Sequence, residues 1–175
     1  MQKRSTLRTL ISGLAVGTAL AASLSGCGFA LRQPPHMPFR SIMLTGFAPN
    51  SPMAVELARS LEDSGVSVVE TTAQAAPMAQ HVVLQALVDR REQTAASITA
   101  YAQVRDMGLV TRLKFRLLRA SGDVLVGPTE LAVSRSLPYN EKDALARQDE
   151  YEAMHKAMQT DLAEQVMRRL AAVRP

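Results

Sequence analysis

Apolar and polar positions along the chain change period several times, and each change marks an element. Residues 40–46 hold the short run Ser41-Ile42-Met43-Leu44, which predicts a strand, and residues 47–50 read as a turn. Ser51 followed by Pro52 has the form of a helix N-cap with proline at the first helical position, where its missing N–H is no loss. Val55, Ala58 and Leu61, with Ala54 and Leu57 beside them, repeat at three- and four-residue spacing, the stripe of an amphipathic helix. Gly65, after Asp63-Ser64, suits a left-handed helix end. Residues 66–70 then predict a second strand.

After a loop containing Pro77 the period becomes two. Val82, Leu84, Ala86 and Val88 alternate with Val83, Gln85, Leu87 and Asp89. In residues 105–119 the alternation is clearer: Met107, Leu109, Thr111, Leu113, Phe115 and Leu117 share one face, and Arg112, Lys114 and Arg116 the other. Ala120-Ser121-Gly122-Asp123 is a hairpin turn signal. Residues 124–136 return as a strand, with Gly127-Pro128 predicting a bulge or break early in it. From about residue 143 to 170 the period is helical again, with Tyr151, Met154, Met158, Leu162, Val166 and Leu170 on one stripe and His155 expected on its flank. A sheet with two amphipathic helices must bury one face beneath them. The expected fold class is α/β, a two-layer sandwich with two helices on one face of a four-stranded mixed sheet.

The N-terminus changes the picture of where such a domain works. Lys3, Arg4 and Arg8 form a basic head without acidic residues, an apolar or small stretch follows from Thr9 to Leu24, and Leu24-Ser25-Gly26-Cys27 closes it. Those are the three parts of a secretory signal peptide. A retained membrane helix is the weaker reading, since the run is short and diluted by glycine, serine and threonine. The last four residues look like a lipobox, the site where bacterial lipoproteins are acylated on the cysteine thiol and cut before it. Cys27 is the only cysteine of the chain, so an internal disulfide is excluded. Each buried CH₂ of an acyl chain contributes about 0.8 kcal/mol, and two chains anchor stably where one does not. Gly28 in place of an aspartate after Cys27 favours the outer membrane. The expected organisation is residues 1–26 as signal peptide, 27–39 as lipidated terminus and spacer rich in proline (Pro34, Pro35, Pro38), and 40–173 as a single domain.

Processing also corrects the charge. The chain carries 20 Lys and Arg against 16 Asp and Glu. Three of the cations lie in the signal peptide, which leaves 17 against 16, so the basic balance gives no support to nucleic-acid binding. Aromatic residues are 4% of the chain and Trp is absent, so the core must be built from Leu, Val, Ala and Met.

Residues that carry chemistry are few. His36, His81 and His155 stand in unrelated contexts, and there is no HExxH, no CxxC and no glycine-rich phosphate loop. Neither an enzyme nor a cofactor or metal site is expected. What stands out is a basic middle: Arg90, Arg91, Arg105, Arg112, Lys114, Arg116 and Arg119 against Glu92 and Asp106. Arg112, Lys114 and Arg116 share one strand face, opposite the face that helices cover. A solvated face that guards against edge-to-edge aggregation would look the same. The alternative is a surface for phosphorylated, anionic partners, which Arg and Lys bind through charge-assisted hydrogen bonds.

Cys27-Gly28-Phe29-Ala30-Leu31-Arg32 resembles the mature start of the LptE family of lipopolysaccharide-assembly lipoproteins, where a Cys-Gly-aromatic-x-Leu-Arg opening recurs. The resemblance continues through the strand-helix-strand opening into Arg135-Ser136-Leu137, Tyr139-Asn140 and Ala144-Leu145-Ala146. It ends in the long helix with Glu164-Gln165 and Arg168-Arg169-Leu170. It implies a similar sandwich, a lipid anchor on Cys27 in the inner leaflet of the outer membrane, and a place as plug inside the LptD β-barrel. It further implies that the chain assists LptD folding and binds lipopolysaccharide itself. On that reading Arg112, Lys114 and Arg116 are candidates for pairing with lipid A phosphates, with Arg90, Arg91 and Arg105 as weaker ones. The competing class is an unrelated outer-membrane lipoprotein acting as a structural or adaptor module.

Overall fold

The computed structural model describes residues 35–71, 74, 80–140 and 147–174. The signal peptide, Cys27 and the opening around it, the start of the proline spacer, Pro77 and Ala144-Leu145-Ala146 lie outside the described residues. In chain order the elements are β1 (Ser41–Thr45), α1 (Pro52–Asp63), β2 (Ser67–Val69), β3 (His81–Ile98), β4 (Val104–Arg119), β5 (Val124–Pro138) and α2 (Gln148–Ala171). The strands form one sheet in the order β2-β1-β3-β4-β5. β1 is parallel to both β2 and β3, whereas β3, β4 and β5 form an antiparallel meander. The two helices on a mixed sheet are as expected, but all five segments read as strands join it, so the sheet has five strands and not four. The short β2, only three residues long, still finds parallel partners along β1 and takes the edge.

Local chemistry explains the element ends. The Ser51 side chain accepts a hydrogen bond from the Ala54 N–H at 3.2 Å, so α1 starts where Ser51-Pro52 predicts. At its other end Gly65 adopts φ +78°. There the Val66 N–H bonds back to the Leu61 carbonyl at 3.0 Å, the pattern of a left-handed helix stop. The buried stripe of α1 is Met53, Leu57 and Leu61. Val55, assigned to that stripe from the sequence, is 63% exposed, because the 53/57/61 spacing turns it to the opposite side.

β3 is much longer than residues 82–89. Its second half has no apolar alternation: Arg91 and Gln93 meet polar groups of α2, residues 93–96 are exposed, and pairing with β4 alone extends the strand to Ile98. A register shift at Leu87, between Ala86 and Val88, is the decisive irregularity. Before it, Val82, Leu84 and Ala86 enter the core. After it the parity is inverted, and Val88 joins Lys114 rather than the core row. β5 carries a second irregularity: Phe115 pairs with Thr129 and Leu117 with Val126, so Gly127-Pro128 forms the predicted bulge opposite Arg116.

The core lies between the helices and the odd-numbered row of β4. Leu109, Leu113, Phe115 and Leu117 are fully buried there, against Met158, Leu162, Val166 and Leu170 of α2 and Leu57 and Leu61 of α1. α2 starts with Asp149 and Glu150 and ends with Arg168 and Arg169, which complements its dipole at both ends.

Candidate functional site

Two polar regions emerge from this frame, one on each side of the sheet. On the open side, cross-strand rows run Gln85–Arg116, Val88–Lys114–Glu130, Arg90–Arg112–Ala132, Glu92–Val110–Ser134 and Thr94–Gly108–Ser136. Arg112, Lys114 and Arg116 therefore do share the uncovered face. The Leu87 irregularity brings Arg90 to the same face, directly across from Arg112. Two like charges opposed across strands are unfavourable, and each leans on a carboxylate: Arg112 on Glu130, and Arg90 on Glu92 at 3.7 Å. Arg116 donates from Nε to the Gln85 side-chain oxygen at 2.7 Å, a neutral partner that leaves its charge uncompensated. Lys114 has no hydrogen-bond or ion-pair partner among the described residues. The excess positive charge of the face thus sits on Lys114 and Arg116.

The same inversion of parity removes Arg91 from this group. Arg91 pairs across from Thr111 on the helix side, donating to the Gln159 oxygen at 3.0 Å and lying 3.7 Å from Glu152. Arg105 is exposed at the end of β4, inside the register irregularity between the Ser97–Asp106 and Ile98–Val104 pairs. Of the six basic candidates, four share the open face, Arg91 lies on the helix side, and Arg105 sits at the irregular end of β4.

The second polar region is a seam that the sequence reading missed. Thr111, His155 and Gln159 are buried between β4 and α2, so His155 faces the sheet instead of flanking the helix. Its Nε2 meets the Gln93 amide nitrogen at 3.4 Å and its Nδ1 the Thr111 hydroxyl at 3.5 Å. With Gln93 donating, Nε2 accepts and Nδ1 carries the proton, which is the neutral imidazole. Burial holds the His155 pKa below its ordinary value, and the neighbouring Arg91 charge lowers it further, with Glu152 opposing. His81 is likewise lowered by burial. Its Nδ1 pairs with the Ser41 hydroxyl at 3.0 Å, and its Nε2 is buried without a partner among the described residues. The signal for the seam was Thr111 itself, a polar residue inside an apolar row, with His155 four residues from both Tyr151 and Gln159 on the α2 stripe.

Beside the seam, next to the first turn of α1, lies an open groove of about 560 Å³ lined by Pro52, Val55, Glu56, Arg91, Glu152 and Lys156 among others. Among the described residues there is no cluster of three metal-ligating side chains, and no helix is long and apolar enough to cross a membrane.

Comparison with known proteins gives this geometry a context. The family model described as LptE, lipopolysaccharide-assembly, matches residues 39–170. An LPS-assembly lipoprotein LptE from Photorhabdus laumondii is 25% identical over 97% of this chain and 88% of its own length. One of the same name from Yersinia pestis is 26% identical over 97% of this chain and 78% of its own. Among solved structures, the uncharacterized lipoprotein B of Nitrosomonas europaea superposes with a TM-score of 0.68 at 28% identity, covering 83% of this chain and 91% of that one. The rare lipoprotein B of Shewanella oneidensis shares the fold at a TM-score of 0.62, 18% identity, and coverage of 76% and 95%.

Proposed function

This chain belongs to the LptE lipopolysaccharide-assembly family, and from that premise we propose that it acts with an LptD-type β-barrel to place lipopolysaccharide at the cell surface. It is an assembly lipoprotein and not an enzyme. In the proposed arrangement acyl chains on Cys27 hold it at the periplasmic face of the outer membrane. The sandwich plugs the barrel, assists its folding and binds lipopolysaccharide directly.

The observation that carries the binding role is the open sheet face, where Arg90, Arg112, Lys114 and Arg116 stand together and the charges of Lys114 and Arg116 are uncompensated. Lipid A phosphates are dense anions, and charge-assisted hydrogen bonds to such groups are worth about 1.5–3 kcal/mol each. Glu130 and Glu92 hold Arg112 and Arg90 extended on the face until a phosphate competes for them. Arg91 lies on the helix side of the sheet and Arg105 at the irregular end of β4, so both contribute to the general potential only.

The test is the triple replacement of Arg112, Lys114 and Arg116 by serine in the full-length protein. Lipopolysaccharide binding is expected to fall about tenfold or more, with the thermal unfolding midpoint unchanged because the altered side chains leave the core row intact. Unaltered binding would remove the face from the mechanism. Isolation of the lipidated protein separates this reading from an adaptor role: a stoichiometric complex with a large barrel is expected.

A further inference from the structure

The five-stranded sheet has three stretches of edge, and they are protected unequally. β2 is three residues long, too short to template another strand. β5 is long, but Gly127-Pro128 buckles it near one end, Pro138 closes the other, and Glu130 and Arg135 punctuate the stretch between. Such features are how proteins blunt edges. The third stretch is less obvious. β1 covers β3 only from His81 to Gln85, and beyond Gly46 it has turned away. From Ala86 to Ile98 the far side of β3 has no strand beside it among the described residues.

That stretch is long, regular and poorly guarded. Val88 to Ala95 pairs residue by residue with β4, so the backbone is held extended while its other row of N–H and C=O groups has no partner among the described residues. Its charged residues are engaged with the protein's own groups: Asp89 accepts from the Ser51 hydroxyl at 2.5 Å, Arg90 leans on Glu92, and Arg91 donates to Gln159. From Gln93 to Ile98 there is no charge and no proline at all, and residues 93–96 are exposed. A row of unpaired backbone groups specifies its occupant chemically, since only another extended polypeptide satisfies alternate donors and acceptors at strand spacing. An incoming strand would continue the line of β1, and its inward side chains would reach the groove that begins at Arg91 and is walled by Pro52 and Val55.

We infer that the upper edge of β3, residues 88–95, is a strand-addition site that pairs with an extended segment of the barrel partner. This rests on the proposed association with an LptD-type barrel. The sheet edge, rather than a side-chain patch, supplies the recognition. Alternate side chains of the incoming strand select for apolar or small residues toward Val55 and for polar ones toward Arg90 and Glu92.

The test is residue-resolved hydrogen exchange of the full-length chain, alone and in its purified complex with the barrel. Every second amide between Val88 and Ala95 is expected to slow at least about tenfold in the complex. The intervening amides are already protected by β4, and the Ser121 turn serves as an unaffected reference. Free-chain exchange rates along this edge in a formed complex would overturn the inference and leave the proposed function standing. Uniform slowing without the period of two would also overturn it, because mere coverage has no such pattern. Protection that grows with chain concentration in the absence of barrel would assign the edge to a second copy and overturn the barrel as occupant. Failure to form any complex with the barrel would remove the proposed function and this inference together.

Discussion

The odd and even residues of β4 are chemically two different molecules bonded to one backbone. Leu109, Leu113, Phe115 and Leu117 are fully buried beneath two helices, and each such side chain contributes roughly 1.5–3 kcal/mol by leaving water. Between them, Val110, Arg112, Lys114 and Arg116 lie on a face that neither described helix covers. Adjacent positions therefore separate stability from binding: the odd row holds the fold, and the even row is free to carry a function that needs charge. The sharpest way to break that comparison is a neighbouring pair. Phe115→Ala is expected to destabilise by about 3–5 kcal/mol, as large-to-small changes in packed cores do, whereas Lys114→Ala stays within about 0.5 kcal/mol of the parent. Chemical denaturation of both variants measures the difference. Comparable losses would mean that the open face is also structural.

The boundary between covered and uncovered sheet is set by one glycine. Gly46 ends β1 at φ +79°, and a Cβ there would stand 2.2 Å from the backbone carbonyl oxygen of Ala86. Both contacting groups are main chain, so neither can swing away. Gly46→Ala is expected to cost about 2–3 kcal/mol, the sum of a left-handed alanine and a displaced strand. Gly65→Ala is the control. Gly65 has a similar φ of +78° and nothing within 4 Å of the added carbon, so only the conformational part remains, about 1 kcal/mol. Equal unfolding midpoints for the two variants would show that the close approach to Ala86 is not what fixes the end of β1.

How far the molecule was legible in its sequence follows from the same division. The period-two row of β4 and the stripe of α2 were readable because burial on one face forces apolar residues onto alternate or four-spaced positions. Ser51-Pro52, Gly65 and Gly127-Pro128 were readable because each needs a particular backbone. The upper half of β3 was not, since a strand that meets α2 only through polar side chains (Arg91 and Gln93) has no apolar pattern to impose, and only β4 holds it straight. The irregularity at Leu87 left no mark in the sequence either. It decided that Arg90 joins Arg112 while Arg91 goes to the helix side, which no count of basic residues could anticipate. His155 was misassigned to a flank because a polar residue on a helix is ordinarily solvated; its burial depends on Thr111 and Gln93, residues distant in sequence.

The polar seam beneath α2 gives the smallest effect and the one most specific to the covered face. His155 is held neutral, its pKa lowered from an ordinary value of 6.5 by burial first and by Arg91 second. Protonation would set the His155 N–H against the Gln93 amide donor and bring a second cation beside Arg91. A histidine with a depressed folded-state pKa binds its proton more readily when unfolded. Stability is therefore fully present above the unfolded value and declines as pH falls below it toward the folded one. The thermal midpoint of the full-length chain is expected to decrease between about pH 7 and 5.5. His155→Gln removes the titrating group from the seam, so its midpoint should decline less steeply over the same interval, with His81 keeping a share of the slope. The open face predicts the contrary for its own residues: serine variants at Lys114 and Arg116 leave the His155 seam on the other side of the sheet untouched, so they should run parallel to the parent. A parent midpoint that rises on acidification, or a His155→Gln slope equal to that of the parent, would mean that the seam does not govern acid sensitivity. A changed slope in the serine variants would mean that the two faces are electrostatically coupled through the sheet.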